Sequence, residues 1–229
     1  MRAEFVEHER ASVPAGARPY ASGMPQRPDV YASARGRVRA RLASPLAARA
    51  RARRHERFFA LAGLEPGMRV VDVGCGALGL RALEPDLDIT GVDVAPRPDY
   101  PGPFVQADAA ERLPFEDGAF DLAYASSVIE HVAPERRPAF AREVRRVARG
   151  WLVQTPAWSF PIEPHALLPV AHWLPPAVRR PYWRLGAAGA WEDIALLRRR
   201  ELVALFGDPV LAERVGPVAK SWIALRPVR

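Results

Sequence analysis

Between residues 69 and 154 five short apolar runs recur: Arg69–Val73, Asp88–Val92, Phe104–Gln106, Phe120–Ala125 and Trp151–Gln154. Turns or helix-forming stretches separate them, an alternation that builds a parallel sheet with helices on its faces. Ligands in such sheets bind beyond the carboxyl ends of the strands. The chain puts its glycines and acids there: Gly74 and Gly76 follow the first run, Asp93 the second and Asp108 the third. That placement restricts the chain to the α/β class and marks one edge of its sheet as the place for chemistry.

The remaining segments fit around this frame. Residues 1–45 are rich in Pro, Gly, Ala and Ser and read as an N-terminal arm or cap. A helix is expected over 34–62, restarting at Ser44-Pro45 and carrying Arg49, Arg51, Arg53, Arg54 and Arg57. A second helix is expected from Pro134 to Ala148, ending at Gly150. Residues 156–195 pack prolines among aromatics and suggest an insert of short broken helices. Arg198–Phe206 reads as helix, and Val210–Val215 with Ser221–Arg226 read as an antiparallel pair joined through Gly216-Pro217. The fold expected is a Rossmann-like, seven-stranded, mostly parallel sheet with an antiparallel C-terminal strand and helices on both faces.

Bulk composition adds limits. At 229 residues, 49% hydrophobic and 26% charged, the chain reads as one globular domain, 46–229, behind its arm. No run of about 18 apolar residues exists for a spanning helix, no secretory leader is visible, and the single cysteine forms no internal disulfide. A cytoplasmic protein is the expectation. The net charge of +7 invites a nucleic-acid or membrane reading. Almost all of it is arginine beside abundant Ala and Pro, with Lys220 the single lysine. A solvated face is the simpler account of that skew.

The loop after the first run, VVDVGCGALGL (70–80), has glycines at 74, 76 and 79 and fits the dinucleotide spacing literally. Its neighbours turn it away from a pyrophosphate. Asp72 puts a carboxylate two residues before Gly74, where a cationic ligand is better served. The helix after the glycines is short, from Leu78 to Glu84 before Pro85, whereas a pyrophosphate relies on a well-formed helix N-terminus. No second domain of the size dehydrogenases use is present. Asp93, about 20 residues beyond the loop, suits two ribose hydroxyls, and Asp108 suits an adenine amino group. An adenosine ligand is therefore expected. An NAD-linked oxidoreductase remains the alternative resting on the glycines alone.

The segments VVDVGCG (70–76), TGVDV (90–94), VQADAAERLPFEDGAFDLAYASSVIEHV (105–132) and FAREVRRVARG (140–150) fall in order at successive strand ends. In them the chain resembles the class I S-adenosylmethionine (SAM)-dependent methyltransferases, in the branch called methyltransferase domain 11. The resemblance covers about residues 55–155. It implies SAM as cofactor and assigns roles. Gly74 and Gly76 let the backbone approach the methionyl part, with Cys75 a small neutral residue between them, and Asp72 orients the loop. Asp93 holds the ribose, Val94 packs on the adenine, Asp108 and Ala109 meet its edge, and Ser126 faces the methionine portion. The family usually has a glycine at the position of Leu78. Here Gly79 comes one residue late and reads as a packing or turn residue that completes the dinucleotide spacing by accident.

For the chemistry the candidates are His131, after the fourth run, and His165, with Glu163 placed to orient or charge it. Trp158, Phe160, Trp173, Tyr182, Trp183 and Trp191 are candidates for an acceptor pocket. His165 and His172 with one cysteine give no metal-ligand spacing, and no metal is expected. The function expected is methyl transfer from SAM to a small or medium-sized metabolite, with O-methylation favoured and lipid-linked or glycosylated acceptors among the candidates. RNA or DNA methylation is the further alternative, though the fourth run lacks the Asn/Asp-Pro-Pro-Tyr element of amino-methylating enzymes.

Overall fold

A computed structural model describes residues 59–77, 79–84, 86–186, 194–207 and 209–228. The N-terminal arm, the arginine run at 49–57, Leu78 and Trp191 lie outside the described residues. The main strands are β1 (Arg69–Val73), β2 (Asp88–Asp93), β3 (Phe104–Gln106), β4 (Phe120–Ser126) and β5 (Ala148–Pro156). They are followed by the short β6 (Ile162–Glu163) and β7 (Leu168–Pro169), then β8 (Val210–Val215) and β9 (Val218–Arg226). Helices are α1 (Arg137–Val147), α2 (Pro176–Trp183) and α3 (Arg199–Phe206).

Seven strands form one sheet in the order β3-β2-β1-β4-β5-β9-β8. The pairs β1–β2, β2–β3, β1–β4 and β4–β5 are parallel. Strand β9 runs antiparallel to both β5 and β8. Strand order reverses between β1 and β4, and that reversal opens a crevice at their carboxyl ends. Every residue singled out for cofactor binding stands at or just beyond the ends of β1 to β4.

Alternation along the strands divides the apolar residues between two cores. Val71 and Val73 of β1, with Trp151 and Val153 of β5, face α1 and α3. Val70, Leu122, Leu152 and Ile223 face the other way, onto Phe59 and Ala62 of the helical end at 59–62 and onto Leu80. Helix α1 lays down Phe140, Ala141, Val144 and Val147, a single stripe at helical spacing. It starts from a 3-10 turn at Pro134–Arg136, where Pro134 needs no amide donor. No helix among the described residues is long and apolar enough to cross a membrane.

Three local features depart from expectation. Helix α1 stops at Val147 and the chain passes straight into β5, so Gly150 lies inside the strand. A Cβ there would stand 2.7 Å from the Arg226 carbonyl, so the glycine admits the close passage of the β9 tail. The stretch after the glycine loop is a 3-10 turn, Leu80–Ala82, with no longer helix among the described residues there. The 156–195 segment contains, besides the expected broken helices, a small antiparallel hairpin of β6 and β7. Ala166, Leu168, Ala171 and Trp183 give this insert its own apolar centre.

Candidate active site

The glycine loop is organised from beneath by two acids. Gly74 and Cys75 both donate their amides to the Val92 carbonyl, at 2.7 and 3.1 Å, which turns the chain over the end of β2. Asp72, 3% exposed, accepts the Leu80 amide at 2.6 Å through Oδ2. Asp93 Oδ2 accepts the Gly76 amide at 3.0 Å. The two carboxylates thus fix the two arms of the loop. Burial pushes the Asp72 carboxyl up to about 7; the Leu80 amide opposes this and the Asp93 charge adds to it. Burial, then the charges of Asp72 and Asp93, push the Cys75 thiol up, and it stays a neutral loop residue.

Gly79 is a turn residue under tight packing. It has φ 54° and ψ −157°, a region close to the glycine-only part of the map. A Cβ there would overlap the Asp72 carboxylate and stand 3.0 Å from the Cys75 carbonyl. Gly74 is needed for close approach, because its Cβ would overlap the Val128 side chain just past β4. Over Gly76, at φ +62°, nothing among the described residues lies within 4 Å. Its face of the loop is the open one.

The acids at the next strand ends are each engaged by an arginine. Asp93 Oδ1 accepts the Ala95 amide at 2.9 Å, while its Oδ2 also pairs with Arg97, at 3.1 Å to Nε and 3.0 Å to Nη2. Val94 beside it is 47% exposed, an apolar face open at the strand end. Asp108 Oδ1 accepts the Ala110 amide at 2.8 Å, and its Oδ2 pairs with Arg136 Nη1 at 2.9 Å. Ala109 is buried alongside. Ser126 donates to Gln154 Oε1 at 2.7 Å across the β4–β5 pair, in which the two residues are in register.

A polar cluster fills the next space. The chain leaves β4 through Ser127 at φ 58° and enters a 3-10 turn, Ile129–His131. Glu130 is 1% exposed, its Oε2 accepts the Thr155 hydroxyl at 2.9 Å, and its Oε1 has no hydrogen-bond partner. From β6 and the loop behind it come Glu163 and His165, both buried, with Nδ1 and Oε1 2.7 Å apart. Glu163 Oε2 also accepts the Ala166 amide at 2.5 Å. The His131 and His165 rings meet edge to face at 5.0 Å, and His165 Nε2 stands 4.0 Å from Glu130 Oε1. Burial raises the Glu130 carboxyl. Burial works to lower the His165 imidazole, but the Glu163 hydrogen bond and charge, helped by Glu130, outweigh it and hold it above the ordinary histidine value.

The structure brings His131, His165 and Glu163 together; in the sequence reading Glu163 was paired with His165, and His131 was placed separately after the fourth run. It adds Glu130, Thr155 and Gln154, which that reading did not single out, and the arginines at 97 and 136. Arg97 had a signal, since it lies four residues after Asp93 and reaches back to it. Behind Glu163 a cavity of about 250 Å³ is lined by Trp158, His172, Arg179 and Trp183 among others. Two of the aromatics expected to line an acceptor pocket are thus at that cavity. Trp173 instead donates to the Trp158 carbonyl at 2.9 Å, and Arg198 stacks on the Trp158 ring at 3.4 Å.

Comparison with known proteins follows the same lines. The sequence model of the family described as "Methyltransferase domain" matches residues 71–152. No curated protein matches the chain. Among solved structures, a Pyrococcus horikoshii protein is similar with TM-score 0.53 at 17% identity, over 79% of this chain and 91% of that one. A SAM-dependent methyltransferase from Methanosarcina mazei is similar with TM-score 0.47 at 18% identity, over 73% and 95%. A third is the 1,6-didemethyltoxoflavin-N1-methyltransferase of Burkholderia thailandensis, solved with that compound and S-adenosylhomocysteine bound (TM-score 0.47, 14% identity, 70% of each chain). Residues 71–152 are thus similar to the methyltransferase domain of that family, and the sheet around them has the fold of the solved structure from Pyrococcus horikoshii.

Proposed function

We propose that this protein transfers the methyl group of SAM to a hydroxyl oxygen of a small or medium-sized metabolite. The observation that carries the reading is the joint placement of the open loop face at Gly76, the acids Asp93 and Asp108, and the His131–His165–Glu163 cluster at successive strand ends. Gly74, Cys75 and Gly76 border the methionyl part, and Asp72 holds their loop through Leu80. Asp93 takes the ribose hydroxyls, Val94 covers the adenine, and Asp108 with Ala109 meets its edge. Ser126 stands at the methionine side, oriented by Gln154. The arginines at 97 and 136 neutralise the two acids in the free protein, and bound nucleoside hydroxyls and amine then share those carboxylates.

In the reaction the acceptor oxygen attacks the methyl carbon in line with the sulfur. The carbon–sulfur bond breaks, its electron pair stays on sulfur, and the neutral thioether leaves. Positioning and exclusion of water supply much of the rate, and a hydroxyl acceptor gains further from activation at its proton. His165, His131 and Glu163 are the groups assigned to that activation. The 156–195 insert supplies the acceptor side, which suits a lipid-linked or glycosylated metabolite through its aromatics. Tritiated SAM with paired hydroxyl and amine acceptors, read as methyl ether or methylamine product, tests the proposal. Label in ether products is expected. Label in amines alone overturns O-methylation.

A further inference from the structure

Glu130, His131 and His165 each offer one ligating atom, and these atoms all lie within 4.8 Å of one another. Two observations mark the group as more than a buried polar knot. The first is Glu130 Oε1, an oxygen of a carboxylate only 1% exposed, which has no hydrogen-bond partner. A buried polar atom left in that state costs about 1–3 kcal/mol, more when charged, and calls for a partner. The second is the way His165 is held. Glu163 engages its Nδ1 at 2.7 Å and is itself pinned by the Ala166 amide at 2.5 Å. This fixes the ring so that Nε2 is the nitrogen on the Glu130 side, 4.0 Å from Oε1.

That distance is too long for a hydrogen bond and close to what a shared ion requires. Ligands about 2.0 Å from a tetrahedral ion stand about 3.3 Å apart, so an inward movement of under about 1 Å would close the set. A carboxylate on the far nitrogen of a ligating histidine is the usual outer-shell arrangement, because it sets the tautomer and raises the ligand's basicity. Two imidazoles and one carboxylate suit a divalent transition metal such as zinc, and three protein ligands leave a position open.

We propose that Glu130, His131 and His165 form a three-ligand centre for a divalent transition-metal ion, oriented by Glu163, whose open position takes an oxygen of the methyl acceptor. The ion site stands on its own geometry; its use rests on the methyl-transfer reading. In that use the activation assigned to His131, His165 and Glu163 acts through the ion they hold and orient, and the proton leaves to water. The bound hydroxyl loses its proton to water, its oxygen forms the new bond to the methyl carbon, and the carbon–sulfur electron pair leaves with sulfur. The acceptor class this selects is a metabolite whose hydroxyl can coordinate a metal. The motif was hidden in the sequence because His165 comes from a different element, and only the insert brings it to Glu130 and His131.

The test is titration of the chelator-treated full chain with Co²⁺, read by visible absorption, and with Zn²⁺, read by calorimetry, with SAM titrated into the same samples. One ion per chain is expected, with Zn²⁺ displacing Co²⁺. Glu130→Gln and His131→Asn should each weaken binding at least about tenfold, and Glu163→Gln by about 10- to 100-fold, the range for outer-shell partners. If Glu130→Gln does not fold by circular dichroism, His131→Asn, at a half-buried position, decides alone. No stoichiometric binding by the wild type, or equal affinity in the ligand variants, overturns the centre. SAM binding without metal binding sinks this proposal only. Metal binding without SAM binding upholds the centre and sinks the methyl-transfer reading.

Discussion

Replacing Gly79 by alanine tests the loop architecture most sharply. The backbone at φ 54° and ψ −157° is one that a residue with a Cβ holds only at a cost of about 1–3 kcal/mol. The added carbon would also overlap Asp72 Oδ2 and crowd the Cys75 carbonyl at 3.0 Å. Relief requires Asp72 to move off the Leu80 amide, now at 2.6 Å. A hydrogen bond to a charged group is worth about 1.5–3 kcal/mol. Gly79→Ala should therefore destabilise the fold by about 2.5–6 kcal/mol, the sum of these two contributions. Gly76→Ala meets no neighbour among the described residues and should cost the fold only the strain of its positive φ, while blocking the open face of the loop. The two variants should separate in opposite directions: Gly79→Ala mainly in urea denaturation, Gly76→Ala mainly in SAM titration. A Gly79→Ala protein within about 1 kcal/mol of wild type would refute the role given to Asp72 and its loop.

Asp72 also predicts a pH dependence. Its carboxyl rises from 3.8 to about 7 on folding, so the folded state holds more protons than the unfolded one across that window. Its favourable contribution is complete below pH 4 and is lost as pH rises through 7, to a limit of about 4 kcal/mol at 1.36 kcal/mol per unit. Asp72→Asn keeps an acceptor for Leu80 and removes the titration, so its stability relative to wild type should grow between pH 5 and pH 9 in paired denaturation curves; a constant difference would contradict this. Phe140→Ala, which empties a fully buried site on α1, should cost about 3–5 kcal/mol by the same assay. A loss under about 1 kcal/mol would mean that α1 does not close that core.

How much of this was legible in the sequence depends on the range of the interaction. The sheet strands were readable because each is a local apolar run, and the β8–β9 pair because Gly216-Pro217 is the two-residue connection between Val215 and Val218. The position of Asp93 and Asp108 at strand ends was readable because each closes a local apolar run. What failed were contacts between distant segments. The packing or turn role read for Gly79 had no partner assigned, since Asp72 meets it from across the loop, and Gly150 looked like a helix stop because the Arg226 carbonyl that needs its small size arrives from β9. The β6 and β7 strands, two residues each, are too short to show a period of two. The pairing of Ser126 with Gln154 follows from the β4–β5 register, and that of Glu130 with Thr155 from the turn after β4 folding onto β5; no local pattern states either.

The central claim is that the acids at the strand ends, more than the literal glycine spacing, decide the ligand. Calorimetric titration of the wild type and Asp93→Ala with SAM and with NAD measures this directly. Asp93 bonds the loop at Gly76 and stands where the ribose hydroxyls would be held. The account predicts SAM binding without NAD binding, and a loss of at least about tenfold in SAM affinity for Asp93→Ala, the scale of one charge-assisted hydrogen bond. NAD binding with no SAM binding would contradict it.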